Sequence, residues 1–334
     1  MRRIFLGCLI LVLLAGSLVS CSNGEKRYEF DGMVQGTYYH IVVYGSDSTG
    51  MSKGFDSIFN IIDQSVSLWE KNSTVCKVNR NEDVELDQAF IDNFLAAKDL
   101  NILSEGALDI TVGALVREYG FTTKARSTMS QQQIDSMLQY TGMENLKIEG
   151  KKIVKKYPET QIDFNAIAQG YTTDLITKYL DKRGCSAFLI DVGGEVFARG
   201  IKPDKKKWNV AIEKPAKSKE EERTYNTIVL LENESIVTSG NYRKYYEEGG
   251  VKYSHTIDPK TGKPVRHSLL SASVIAKDAT TADGLATAFM VMGLEKAKEF
   301  LEKHKEYNAY FIYSDDKGEM KVWHNPGFAR YIAE

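Results

Sequence analysis

Cysteine is scarce, with four in 334 residues. Cys8 and Cys21 fall in or beside the N-terminal apolar segment, which leaves only Cys76 and Cys185 in the body of the chain. There is no C-x-x-C pair and no Cys/His cluster at metal-ligand spacing, which excludes a zinc ribbon and a disulfide scaffold. Cys76 and Cys185 either pair in an oxidising compartment or remain two free thiols; spacing does not choose. A basic excess is also missing. Lys and Arg number 43 against 45 Asp and Glu, for a formal net charge of -2, and this argues against a nucleic-acid partner. No G-x-G-x-x-G follows a strand pattern, which disfavours a Rossmann dinucleotide site. No internal repeat is present. No apolar run reaches spanning length, the longest being Ile4 to Val19, too short and wrongly flanked for a transmembrane helix.

What is there begins with Met1-Arg2-Arg3, the apolar run, and Leu18-Val19-Ser20-Cys21. This is a secretory signal over residues 1–20, and the last four residues resemble a bacterial lipoprotein cleavage box. By that resemblance Cys21 becomes a lipidated first residue, anchoring the protein to a membrane without a span. Residues 21–28 form a polar tether and 29–334 one folded domain, which the lipoprotein resemblance implies is exported and faces the periplasm. The membrane it faces depends on sorting rules that the sequence does not carry.

The remaining chain has a coarse pattern of strands and grouped helices. Tyr28 to Tyr44 alternates around Gly32 and Gly36 as paired strands. Lys53 to Leu68 and Gln88 to Ser104 carry apolar residues at helical spacing. Lys124 to Met143 reads as loop plus short helix. Lys152 to Lys156 and Thr160 to Phe164 read as a hairpin around Tyr157-Pro158-Glu159, and a helix starts from Asn165. Ala187 to Asp191 is a buried strand followed by a Gly193-Gly194 turn. Trp208 to Ile212 and Thr227 to Leu231 are strands flanking a charged loop, Lys214 to Arg223. Leu269 to Ala276, Ala309 to Tyr313 and Met320 to Trp323 are later strands, with an amphipathic helix from Gly293 to His304. Grouped rather than alternating elements indicate an α+β fold, not a doubly wound parallel sheet.

The chemistry concentrates between Ser254 and Thr287. His255 and Asp258 flank a strand end, and Pro259, Gly262 and Pro264 impose a turn. Thr280 or Thr281 is positioned to cap a helix in which Asp283 and Thr287, four residues apart, share a face. Two readings stand for that pair. One is an acidic residue favoured by a helix start; the other is a pair of hard oxygen ligands of the kind Mg2+ takes. In the second, Asp283 is a surface-lining carboxylate whose removal leaves the fold intact.

Three blocks in one order sharpen this: Ser239-Gly240-Asn241-Tyr242-Arg243, Ser254-His255-Thr256-Ile257-Asp258-Pro259-x-Thr261-Gly262, and Ala282-Asp283-x-x-Ala286-Thr287-Ala288. Together they resemble the C-terminal signature of the FAD:protein FMN transferases, the ApbE-like flavin transferases. Earlier blocks agree. Gly36-Thr37-Tyr38-Tyr39 resembles the family opening, with Gln35 where Met is usual. Ser65-Val66-Ser67-Leu68-Trp69, with Ser73 and Asn79, resembles a segment whose aromatic packs on the nucleotide. Gly106-Ala107-Leu108-Asp109-Ile110-Thr111-Val112-Gly113 resembles a glycine-bounded turn block. Asp163 through Asp174 resembles the run that opens a diphosphate-facing helix, with Gln169 in place of Lys or Glu.

The resemblance implies a two-lobed, T-fold-related α+β domain with mixed or antiparallel sheets and FAD between the lobes. It implies Mg2+-dependent transfer of FMN from FAD to a threonine hydroxyl of a partner protein, with AMP released. FAD contacts are expected from Gln35, Trp69, Ala107, Leu108, Asp109, Asp163, Gln169 and Ile257. Mg2+ ligands are expected from Asp283, Thr287 and the Ala166 carbonyl. His255 is expected either to act as base or to hold a phosphate or the turn, and Asp258 either to orient His255 or to stabilise the turn. Trp69 is either a flavin or adenine platform or an ordinary core aromatic, and Asp109 either a nucleotide acceptor or a local cap. The acceptor would be an exported subunit of a sodium-pumping NADH:quinone reductase or related electron-transport complex, bearing a Ser/Thr-Gly-Ala-Thr-type motif. An FAD pyrophosphatase and a non-enzymatic FAD-binding lipoprotein are the rival activities.

Overall fold

A computed structural model describes residues 25–122, 129–215, 224–241, 245–248 and 251–333. The signal, Cys21 and the first half of the tether lie outside the described residues, as do much of the charged loop after Lys214 and Tyr242-Arg243 of the first signature block. Among the described residues, no helix is long and apolar enough to cross a membrane.

The chain opens with a hairpin of β1 (Lys26–Val34) and β2 (Thr37–Gly45). Its two-residue turn puts Gln35 and Gly36 at φ of 52° and 75°, the left-handed pair that matches strand twist. Helices α1 (Met51–Val66), α2 (Thr74–Asn79), α3 (Gln88–Leu103), α4 (Gly113–Glu118) and α5 (Gln131–Leu138) follow. Next come a small hairpin, β3 (Leu146–Glu149) with β4 (Lys152–Lys155), and α6 (Ala168–Lys182). Strands β5 (Ala187–Val192), β6 (Glu195–Arg199), β7 (Trp208–Glu213), β8 (Tyr225–Leu231) and β9 (Glu234–Gly240) come next. After them stand the short strands β10 (Tyr245–Glu248), β11 (Val251–Ser254), β12 (Ile257–Asp258) and β13 (Lys263–Pro264). The chain closes with β14 (Leu269–Ala276), α7 (Ala279–Met292), α8 (Leu294–Lys303), β15 (Asn308–Ser314), β16 (Met320–His324) and a 3-10 segment at Pro326–Tyr331.

One eight-stranded sheet in the order β1-β2-β5-β6-β9-β14-β15-β16 forms the centre. Every neighbouring pair in it is antiparallel. Both faces are covered, so its middle strands alternate between two apolar surroundings. On β2, Ile41 and Val43 pack with α1 and α6, while Val42 packs on the other side. On β15, Ala309 and Phe311 join the helical core, and Tyr310 and Ile312 face the β7–β8 hairpin and Phe328. This is the α+β architecture expected from the grouping of elements.

Several local expectations shift. Thr160 to Phe164 is not the return strand of a hairpin; β4 pairs back to β3 across Gly150-Lys151 instead. The segment is held by a parallel bridge from Gln161 to Val112 and by Asp163 N donating to Ile110 O over 2.8 Å. The following helix begins at Ala168 rather than Asn165. The cap of α7 is Asp278, whose carboxylate accepts from Thr281 N over 2.7 Å, not Thr280 or Thr281. Cys76 and Cys185 are both free thiols.

Candidate active site

A cavity of about 1470 Å³ opens where the ends of the central strands meet the starts of α6 and the middle of α7. Its walls come from stretches distant in sequence. Gln35 to Tyr38 supply the β1–β2 turn, and Ile62 to Glu70 the end of α1. Ala107, Leu108 and Asp109 come from the turn before α4, and Asp163, Ala166 and Gln169 from the approach to α6. Asn209 to Glu213 of β7 form another side, and His255, Thr256, Ile257, Asp283 and Thr287 complete it.

Placement bears on two of the open alternatives. Trp69 is 59% exposed on the cavity rim, so it is not a core aromatic. Asp258 is absent from the lining. Its carboxylate accepts from Lys260 N over 2.9 Å and Thr261 Oγ1 over 3.0 Å, and Gly262 N donates to its carbonyl. It stabilises the β12–β13 turn. Asp109 forms the local cap: Oδ1 accepts from Thr111 N and Oγ1 at 2.8 and 2.5 Å. The residue also lines the cavity. Burial raises its pKa above the ordinary carboxylate value. His255 is partly buried on the lining, with the Phe121 ring edge-on at 6.3 Å.

Asp283 differs from expectation in an informative way. It stands in the second turn of α7, not at its start, and is 5% exposed. Its Oδ2 accepts from Gly170 N at 3.1 Å. The start of α6 has no side-chain cap of its own, so a carboxylate from α7 supplies the negative charge that the α6 dipole favours. The reading of Asp283 as an acidic residue at the start of its own helix is therefore corrected: the helix start it serves is that of α6. Asp283 is thus a buried structural acceptor as well as a cavity wall. Thr287, one turn on, shares a hydrogen bond of 3.2 Å with Ser239 Oγ. Asp283, Thr287 and Ala166 line the same cavity, and a carboxylate, a hydroxyl and a backbone carbonyl are all hard oxygen donors of the kind that suits Mg2+.

Asp163 lies at the cavity floor with its carboxylate buried. Oδ1 accepts from Asn165 N over 2.8 Å. Burial pushes its pKa up to about 6, against which the Asn165 bonds act. Helix α6 offers fewer N–H groups to a ligand than a bare helix start would. Ile167 N and Ala168 N both donate to Phe164 O, and Gly170 N is held by Asp283.

Sequence reasoning missed β7 as a wall, and it missed Asp63, Asp191 and Glu195 as lining carboxylates. Asp191 holds the Gly193-Gly194 turn, accepting from Gly194 N at 2.9 Å and from Tyr38 Oη at 3.1 Å. Its place two residues before a Gly-Gly turn was the available signal. Nothing local marks Asp63, which reads as the polar face of an amphipathic helix.

Fold and cavity together define a flavin-transferase architecture. A solved flavin transferase ApbE from Vibrio cholerae superposes with a TM-score of 0.82 at 32% identity, covering 92% of this chain and 99% of that one. The apo flavinyl transferase ApbE of Pseudomonas stutzeri gives 0.82 at 30%, covering 92% and 97%. The ApbE family model matches residues 35–311. The FAD:protein FMN transferase of Vibrio cholerae serotype O1 is 33% identical over 325 residues, 95% of each chain. That of Haemophilus influenzae is 32% identical over 333 residues, with the same coverage. The chain belongs to the ApbE family.

Proposed function

We propose that this protein is an FAD:protein FMN transferase that moves FMN from FAD onto a threonine hydroxyl of a partner protein and releases AMP. The carrying observation is that Asp283, Thr287, Ala166 and His255 line the same cavity as Trp69, Asp109 and Asp163. Oxygen donors for a cation, a titratable imidazole and a nucleotide-sized recess are thereby combined. The acceptor oxygen forms a new P–O bond to the FMN phosphorus as the bond to the AMP phosphate breaks. The hydroxyl proton passes to His255, because imidazole is the usual general base of such transfers. Such transfers depend on positioning and charge neutralisation more than on covalent catalysis. Asp283, Thr287 and the Ala166 carbonyl would hold a Mg2+, which would supply Lewis-acid stabilisation of the diphosphate. Trp69 offers a π-face to the nucleotide at the rim, and Asp258 keeps the His255 turn in shape.

The acceptor proposed is an exported subunit of a sodium-pumping NADH:quinone reductase or a related electron-transport complex. The enzyme would reach it from a membrane surface, lipidated at Cys21. Incubation of purified protein with FAD, Mg2+ and such an acceptor domain separates the activities. In-gel flavin fluorescence on the acceptor with AMP release is expected; free FMN without labelled acceptor would indicate a hydrolase, and intact FAD a carrier. For the anchor, Cys21→Ser should move the protein to the soluble fraction with activity kept, and unchanged membrane association would refute lipidation.

A further inference from the structure

Helices α6 and α7 cap one another. Asp283 of α7 accepts from Gly170 N near the start of α6. In the other direction, Asp174 of α6 reaches the start of α7. Its Oδ1 accepts from Ala279 N at 2.8 Å, and its Oδ2 accepts from Thr280 N at 2.9 Å and Thr280 Oγ1 at 2.5 Å. Asp174 is buried and is not among the residues lining the cavity. Gly170 of α6 lies tight against α7: an added Cβ would lie 2.4 Å from Ala279 O and 2.9 Å from Asp283 Cβ.

We propose that Asp174 is a positioning residue for Asp283: it locks the register of α7 on α6 and so fixes where the Asp283 carboxylate stands on the cavity wall. The physical reason is the steepness of helical geometry. A slip of one residue moves a side chain by about 1.5 Å along the axis and about 100° around it, which would carry Asp283 off both Gly170 N and the cavity. Three charge-assisted hydrogen bonds from one buried carboxylate resist such a slip. Asp278 caps the same end of α7 through Thr281 N, a bond within α7 itself. The two carboxylates therefore separate capping from positioning. This inference rests on the reading of Asp283 as a metal ligand.

The test compares wild type, Asp174→Asn and Asp278→Ala. Asn keeps one acceptor oxygen and turns an NH2 group towards backbone donors. Two readouts are taken: exchange of the Gly170 amide proton in metal-free protein, and Mg2+ affinity by calorimetry with FAD present. Asp174→Asn should speed Gly170 exchange and weaken Mg2+ binding by about tenfold or more, the scale of losing an outer partner of a metal ligand. Asp278→Ala should lower the melting temperature and leave both readouts at wild-type values. If Asp174→Asn does not fold, Thr280→Val, which removes only the hydroxyl bond, should move both readouts in the same direction. Wild-type exchange and affinity in the Asp174 or Thr280 variant would overturn the inference, as would equal changes in Asp278→Ala. Failure of the wild type to bind Mg2+ with FAD would instead remove the metal reading of Asp283, and this inference with it.

Discussion

Asn79 and Ile162 pair as two strands would. Asn79 Nδ2 donates to the Ile162 carbonyl over 2.8 Å, and Ile162 N donates to Asn79 Oδ1 over 2.8 Å. Gln161 Nε2 adds a bond to the Asn79 carbonyl at 3.0 Å. A side chain thus stands in for a neighbouring strand and fixes the segment that carries Asp163 and Ala166 into the cavity. Asn79→Ala leaves a buried N–H and C=O without these partners, so a loss of about 2–4 kcal/mol is expected. Urea unfolding should show it as a lower midpoint at unchanged slope. A loss below about 1 kcal/mol would mean that solvent replaces the amide and the segment is held elsewhere.

The same pair explains where sequence reading stopped. Thr160 to Phe164 has strand-like alternation, and alternation predicts extended backbone, which is what forms. It does not say what the backbone bonds to, and here the partners are Asn79, Ile110 and Val112, all far back in the chain. The fold class was legible because grouped strands and helices leave a periodicity that sheet and core obey. The site was legible where a motif is contiguous at an element junction, as at Ala107 to Asp109 or His255 to Ile257. It was not legible where it depends on tertiary approach. Asp283 reads as a helix-start residue of α7, and only the packing of α7 on α6 shows whose start it serves. The cavity wall on β7 is equally invisible, because Asn209 to Glu213 reads as any half-exposed strand.

Trp69 should report nucleotide binding. It is 59% exposed at the rim, whereas Trp208 is 5% exposed and packed in the core. FAD should quench tryptophan fluorescence, and Trp69→Ala should lose much of that quenching. Because the indole is largely exposed, its removal should change stability by no more than about 0.5 kcal/mol. Identical quenching in the variant would show that the ring does not meet the nucleotide.

Asp163 should make stability depend on pH in a defined direction. Burial raises its folded value from 3.8 to about 6. The folded protein therefore holds this proton more tightly than the unfolded chain does. The stabilisation is complete below the ordinary value, is lost as pH rises through about 6, and is flat above it. Asp163→Asn cannot ionise, so its stability relative to wild type should rise between acidic and neutral pH by up to about 3 kcal/mol. Unfolding curves for the two proteins at a series of pH values check this. Stability profiles that run parallel would mean that Asp163 ionises as easily folded as unfolded.

Asp283 carries the functional reading, and its burial dictates the variant to use. Asp283→Ala removes both a charge and the acceptor for Gly170 N, so a loss of activity there would mix chemistry with a damaged α6–α7 junction. Asp283→Asn keeps an acceptor oxygen and removes the charge, which isolates the metal role. A helix start repels cations by its own dipole, so Mg2+ beside α6 needs the Asp283 charge and the diphosphate oxygens together. Wild type should bind Mg2+ weakly alone and more tightly with FAD. Asp283→Asn should keep the wild-type fold by circular dichroism and lose the FAD-dependent gain in Mg2+ affinity by calorimetry. Its transfer rate should fall by several kcal/mol in barrier, on the order of a thousandfold. Equal Mg2+ affinity in the two proteins with FAD present, or full transfer in chelator, would leave Asp283 as a cap for α6 and nothing more.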